Sequence, residues 1–245
     1  MRALAERCEA KSSANRSAAD AVRALPIFRG VSTGGMNRLI RLMAVEDVPA
    51  GRVLVREGMP QEYLYVLIRG LLELFTRHGA HEATLTIVSA PAVPLAEVIV
   101  RDAVPLVSLR TVQASCIGRI AVDHVRRLFV KERAFADAIA NGLAENWSNL
   151  LREAKSLRTR TGIERLVAWM LAMLEHAGAS HEITLPYGKR VLAARLGVAA
   201  ATLSRDLARL APLGVTVRGR TLTIGDPERL RELTVVDELN TPPVP

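Results

Sequence analysis

Several donor side chains crowd into one short segment near the carboxy terminus. In LAARLGVAAATLSRDLARL, residues 192–210, three alanines, Ala199, Ala200 and Ala201, are followed by Thr202, Ser204, Arg205 and Arg209. Hydroxyl and guanidinium groups at neighbouring positions donate hydrogen bonds to phosphate oxygens and to base edges, and an arginine can grip guanine O6 and N7 in bidentate fashion. Lys189 and Arg190 stand upstream, and Arg218 and Arg220 flank Gly219 downstream. This is the chemistry of polyanion recognition. The sequence has no nucleophile elbow, phosphate-cradling glycine loop or metal-ligand spacing, so an enzyme is not expected.

Such donors need a scaffold that presents them together. The segment predicts two short helices with Gly197 at the turn between them. In the second helix Leu203, Leu207 and Leu210 recur at i, i+4 and i+7 and pack inward. The polar residues then take the outward face, and the alanines let the first turn come close to its partner. A helix entering the major groove, roughly 12 Å wide, needs such clearance. Ala199 cannot cap the helix as Ser or Thr would, a loss of about 1 kcal/mol. A strand at 182–185 precedes the pair, and a hairpin, VTVRGRTLTI, follows it with basic residues at its turn. Two helices and a basic hairpin predict a winged helix-turn-helix. Lys189, Arg190, Arg218 and Arg220 are expected on phosphates, which set affinity and salt dependence rather than sequence preference. An ordinary helical hairpin with solvated arginines is the plainer alternative.

The totals agree with an anionic partner. The net charge is +8 over 245 residues, and between 152 and 220 twelve Lys/Arg face five Asp/Glu. Aromatics make up only 4%, which argues against a base-stacking platform for single strands. Two cysteines, Cys8 and Cys116, cannot form a disulfide framework or a four-thiolate cluster. With no apolar run long enough for a membrane helix and no secretory leader, a cytoplasmic location is expected.

Upstream, the pattern changes twice. From Leu25 to about Val48 it predicts helix, with Leu39, Ile40, Leu42 and Met43 as the apolar face. From Arg52 to about Ile120, short β-branched runs alternate with turns at Gly58, Gly70, Gly79 and Pro91, which predicts a small antiparallel roll. Asp123 is the expected cap of a long helix reaching about Arg160. Phe135, Ile139, Leu143, Trp147, Leu150, Ala154 and Leu157 form one stripe along it. That stripe fits a helix lying on the roll, or a two-helix seam between subunits. A second amphipathic helix is predicted from Ile163 to about His176.

In this order the elements resemble the CRP/FNR family of bacterial transcription regulators. The resemblance covers roughly residues 25–235. GRVLVREGMPQEYLYVLIRGLLEL carries spaced glycines of the roll, TGIERLVAWML resembles the start of the helix leading into the DNA-binding domain, and LPYGKRVLAARLGVAAATLSRDLARL resembles its helix-turn-helix. The Leu-Pro-Tyr-x-Lys-Arg lead-in is especially like the DNR/NnrR-type branch, associated with nitric oxide and low-oxygen responses. The resemblance implies an α+β fold. It comprises a tail (1–24), a cyclic-nucleotide-binding-type β-roll (25–122), a long dimerisation helix (123–160), a winged helix-turn-helix (161–235) and a carboxy-terminal tail (236–245). It also implies a homodimer on double-stranded DNA at an inverted repeat, and RNA polymerase as a partner. Ser204 and Arg205 match the family's recognition pair. Ala201 stands where most members have a glutamate that accepts from cytosine N4, so the family's common operator is not expected.

The sensor cassette departs from the family too. In PLAEVIVRDAVPLVSLRTV, Leu95 precedes Ala96-Glu97 at the family's Gly-Glu position, and Val107-Ser108 fall at its Arg-Ser position. Glu97 and Ser108 remain, but the phosphate-holding arginine is missing. Arg110 is three positions on, and falls on the opposite strand face. Cyclic AMP and an iron–sulphur cluster are therefore not expected. Haem stays a candidate, with His78, His81, His124, His176, His181, Cys8 and Cys116 as available ligands, and with it a diatomic gas as signal. A ligand-independent regulator with a degenerate roll, and a cyclic-nucleotide-type regulatory module for another protein, are the alternatives.

Overall fold

The computed structural model describes residues 19–79, 81–178, 181–185 and 187–234. The greater part of the amino-terminal tail, Cys8 and the 236–245 tail lie outside them, as do residue 235 and the His176 side chain. The chain divides into two compact units, Met1–Ala83 with Val88–Glu145, and Thr84–Ile87 with Asn146–Pro245.

The first unit is a β-roll with helices at its edge. It contains α1 (Thr33–Leu42), β1 (Ala44–Val48), β2 (Val53–Val55), β3 (Tyr63–Arg69), β4 (Leu71–His78) and the two ends of β5 (His81–Ser89), whose residues Thr84–Ile87 count with the second unit. A short 3-10 turn (Ala96–Ile99), β6 (Ser108–Thr111), β7 (Ser115–Ala121) and α2 (Val122–Lys131) complete it. Two sheets form, in the orders β1-β7-β3 and β2-β6-β4-β5. Alternation along the strands sends Val48, Val55, Leu67, Leu72, Leu109 and Ile117 into one apolar core. Gly70 holds the β3–β4 turn at φ +113°, and a Cβ there would lie 2.2 Å from Ser115 Oγ, so only glycine fits. The Thr111 hydroxyl, buried, donates to the Pro49 carbonyl at 2.6 Å and accepts from the Arg52 N–H at 2.9 Å.

The helix expected over 25–48 is shorter than its pattern suggests. Pro26–Phe28 is a 3-10 turn, and α1 begins only after Ser32, whose Oγ accepts from the Gly35 N–H at 3.0 Å. Met43 is extended, and the chain continues as β1, paired antiparallel with β7. The ladder satisfies the backbone of AVEDV while Glu46 and Asp47 reach Arg119 and Arg69 at this sheet edge.

The expected helix over 123–160 is two helices. The cap of α2 is Ala121, and Asp123 lies in its first turn. Glu132 then leaves helical geometry at φ −117°, ψ 104°. Its carboxylate accepts from Ser32 Oγ at 3.1 Å and lies 3.6 Å from an Arg38 guanidinium nitrogen, which holds the break in place. The long helix proper, α3, runs Arg133–Thr159.

The apolar stripe of α3 also divides. Phe135 and Ile139 are fully buried in the core of the first unit, with Phe135 stacked on Phe28 at 6.1 Å, and Leu143 packs against the same cluster. Phe135 and Ile139 are thus core residues of the chain itself, and Leu143 is half-buried at their edge. Trp147, Leu150 and Leu157 stay open, at 63%, 55% and 47% exposure.

The second unit contains α4 (Gly162–Ala177), β8 (Glu182–Thr184), α5 (Lys189–Arg195), α6 (Ala200–Leu210), β9 (Val215–Arg218), β10 (Thr221–Ile224) and α7 (Pro227–Arg231). Trp169, Leu166, Val167 and Met170 of α4 are buried with Leu203, Leu210, Leu222 and Ile224. This small α+β core carries the helix pair, and the three-stranded sheet has the order β8-β10-β9.

Phe135→Ala should lower the unfolding free energy by about 3–5 kcal/mol, read by urea denaturation. A loss under about 1 kcal/mol would place Phe135 outside the core.

Candidate nucleic-acid interface

The turn between α5 and α6 is set by Gly197, at φ +62°, a value that favours glycine. Beyond it Ala199 is the cap of α6 and makes no side-chain cap bond, as its type dictates. Its carbonyl accepts from the Leu203 N–H at 3.0 Å. Leu203, Leu207 and Leu210 are buried, and the opposite face, Ala200, Ala201, Ser204, Arg205, Ala208 and Arg209, is exposed.

The polar groups on that face are satisfied locally. Ser204 Oγ donates to the Ala200 carbonyl at 3.1 Å, and an Arg205 guanidinium nitrogen donates to Thr202 Oγ1 at 3.1 Å. Exchanging such i to i−4 and i to i−3 bonds for bonds to a duplex leaves no donor buried and unpaired, so little free energy is lost in the exchange. Arg209 lies 3.7 Å from Asp206, an acid buried among the inward residues. Nothing in the heptad-like spacing singled out Asp206; a charged residue at an inward position is its only trace in the sequence.

Lys189 and Arg190 open α5 and are exposed. An open groove brings Lys189 and Ser204 together with Ala208, Ala211, Thr216 and Val217, so the first turn of α5, the outer face of α6 and β9 border one surface. Thr216 was not among the expected donors. Its signal is the alternation of VTVR, which turns Val215 in and Thr216 out. The hairpin turn is Gly219–Arg220, with Gly219 at φ +59°. Arg218 is exposed at its start. Arg220 departs from expectation. Its Nε and a terminal nitrogen donate to the Leu185 carbonyl at 3.0 and 2.7 Å. That guanidinium ties the wing to the end of β8, while the residue itself stays exposed.

The four sensor residues meet different surroundings. Leu95 holds φ +55°, a conformation L side chains rarely adopt, with its side chain in the roll core beside Leu72 and Leu109. Glu97 is exposed in the 3-10 turn, and Ser108 Oγ accepts from the Glu57 N–H at 3.0 Å. Arg110, on the other strand face as its spacing predicts, donates to Glu73 at 2.6 Å and lies 2.7 Å from Glu82. Its guanidinium carbon also lies 4.2 Å from the Phe75 ring centroid. Burial alone would lower its pKa, but the bonds and charges of Glu73 and Glu82 outweigh that and raise it. A residue absent from the expectations, Arg126 of α2, covers the end of the cassette. It donates to the Val98 carbonyl at 2.9 Å and the Arg101 carbonyl at 3.1 Å, and it pairs with Asp102 at 3.0 Å.

Residues 164–233 match the Crp-like helix-turn-helix domain. Across the chain, the CRP-like cAMP-activated global transcriptional regulator of Mycobacterium tuberculosis is 22% identical over 213 residues, covering 83% of this chain and 94% of that one. Among solved structures, FixK2 of Bradyrhizobium japonicum superposes with a TM-score of 0.67 at 15% identity, covering 80% and 98% of the two chains. The c-di-GMP-responsive regulator CLP of Xanthomonas campestris superposes at 0.64 with 20% identity, covering 79% and 99%. The carboxy-terminal unit thus carries a Crp-like helix-turn-helix domain, and the chain shares the fold of these regulators. Likenesses at these identities define the fold and not the branch.

Arg110→Ala would strip Glu73, 9% exposed, of its cation. A loss of about 2 kcal/mol or more in urea unfolding is expected; unchanged stability would show that the pair does not hold the strand face together.

Proposed function

We propose that the protein is a dimeric, sequence-specific regulator that binds an inverted repeat in double-stranded DNA and acts there on RNA polymerase. The observation that carries this reading is the exposed α6 face, with Ser204 and Arg205 outward over a leucine core and Lys189 beside it across the groove. In the proposal α6 enters the major groove. Arg205 reads a guanine edge, Thr202 and Ser204 supply further donors, and Lys189, Arg190, Arg209 and Arg218 hold phosphates. Ala201 leaves out the acceptor a glutamate would offer to cytosine.

Dimerisation is assigned to the carboxy-terminal half of α3. Trp147, Leu150 and Leu151 are more than half exposed and recur on one side of the helix with Ala154. A parallel pair of such helices buries them and places two recognition helices about 34 Å apart, one turn of DNA.

The proposed signal is something other than a cyclic nucleotide, because the family's phosphate-holding arginine is replaced by Val107 and Arg110 is already held by two carboxylates. A diatomic gas acting through haem remains a candidate signal. His78 and His81 end β4 and begin β5 on the surface, His124 abuts Arg127, and His181 turns to the Ile224 carbonyl. Cys116 is buried in β7, where burial raises its thiol pKa. Among the described residues no group of three metal-binding side chains is found, and a haem would need only one or two of these ligands. A second reading, operator binding with no small molecule at all, is favoured by the leucine-filled roll and by the engagement of Ser108 with the Glu57 backbone. No helix among the described residues is long and apolar enough to cross a membrane.

The test is fluorescence anisotropy on a duplex selected from genomic fragments. Arg205→Ala should cost about 1–3 kcal/mol per half-site on that duplex and little on random DNA. Arg218→Ala should weaken both equally and reduce the salt slope by about one. Loss of affinity for all sequences alike with Arg205→Ala contradicts base reading by α6, and absence of any selective complex contradicts the function. Leu150→Glu should give a monomer by light scattering; a persistent dimer places the seam elsewhere.

A further inference from the structure

Helix α3 and the helix-turn-helix are joined through the start of α4. Thr161 caps α4, with its N–H donating to Glu164 Oε2 at 2.6 Å and the Glu164 N–H donating back to Thr161 Oγ1 at 3.4 Å. The next residue, Arg165, reaches both ways. One terminal nitrogen donates to the Arg160 carbonyl at 2.6 Å, and Nε donates to the Leu196 carbonyl at 2.8 Å. The first carbonyl directly follows α3, and the second directly follows α5, in the turn that leads into α6. Carbonyls at helix ends lack partners within their own helix, and a cation there is favoured.

The packing around Arg165 leaves no slack. A Cβ on Gly197 would come within 2.9 Å of Leu157 Cδ2, and one on Gly162 within 2.8 Å of Val198 Cγ1. The end of α3 therefore touches the helix-turn-helix turn directly, and α4 touches it from the other side. Arg165 is only partly exposed, and both of its carbonyl partners belong to the chain's own joints.

We propose that Arg165 is a positioning residue. It locks the angle between the long helix and the recognition helix, and so sets the half-site spacing the dimer accepts. This rests on the proposed reading of α3 as the dimer helix and α6 as the DNA helix. A dimer engages the second half-site as an intramolecular event, at an effective concentration that depends on how well the two heads are held at the right separation. A loosened joint lowers that concentration at the correct spacing. It also lets the heads adapt to a wrong one, where each inserted base pair shifts the half-site by about 3.4 Å.

The test uses the full-length dimer and anisotropy titrations on four duplexes: the selected inverted repeat, versions with one base pair inserted or deleted between half-sites, and a single half-site. Arg165→Ala should lose about fivefold or more on the selected repeat, and keep half-site affinity within about twofold. Its preference for the selected spacing over the altered ones should fall by at least half. A merely stabilising role would lower the melting temperature and the active fraction, yet leave spacing preference intact. Arg165→Lys, whose ammonium keeps the charge but not the two-armed reach, should retain intermediate spacing preference, and it serves if the alanine variant does not fold. Wild-type spacing preference in a folded Arg165 variant that no longer spans the two carbonyls overturns the proposal. A wild-type protein that shows no selective complex overturns the reading beneath it instead.

Discussion

A helix can be pressed into a duplex groove only if its inward side is held firmly enough that the outward side needs no support of its own. Leu203, Leu207 and Leu210 meet that condition for α6, buried over the small core that Trp169 and the winged sheet complete. The outward face can then consist of alanines, short hydroxyls and arginines, none with enough apolar surface to hold the helix in place. The local bonds of Ser204 and Arg205 keep those groups satisfied while the face is in water. The wing follows the same division. Arg220 is committed to the Leu185 carbonyl and steadies the hairpin, and Arg218 is exposed at the tip.

The roll shows what happens when a pocket's charge is redirected. Arg110 lies on the strand face away from the leucine core, between Glu73 and Glu82 and over Phe75. Ser108 is engaged with the Glu57 backbone, and Arg126 occupies the carbonyls at the end of the cassette. Each of these three groups is engaged by another part of the same unit. Leu95, at its positive φ, places its side chain in the core.

The class of fold was legible in the sequence, because periodicity and turn residues mark the roll, the long helix and the winged helix-turn-helix. The inward leucines of α6 and the Gly197 turn were legible for the same reason. Four features were not. The break at Glu132 depends on Ser32 and Arg38, a hundred and about ninety residues away, and no local pattern announces it. The stripe on α3 reads as one surface, but Phe28 and Ile27 cover its first turns, so Phe135 and Ile139 face the chain's own core and only the later residues remain open. Among the candidate contacts, Arg220 and Arg218 look alike in sequence and differ only because one has a carbonyl within reach. Arg165, Arg126 and Asp206 escaped notice because a single charged residue in an amphipathic helix carries no signal of which backbone it will meet.

The most direct measurement is methylation interference on the selected duplex, because a methyl on guanine N7 blocks the major groove alone. The account predicts interference at guanines in two clusters about 34 Å apart, related by the two-fold of the site, with one cluster lost for each half-site destroyed. A single cluster, or binding indifferent to N7 methylation, would mean that α6 does not sit in the major groove as a symmetric pair.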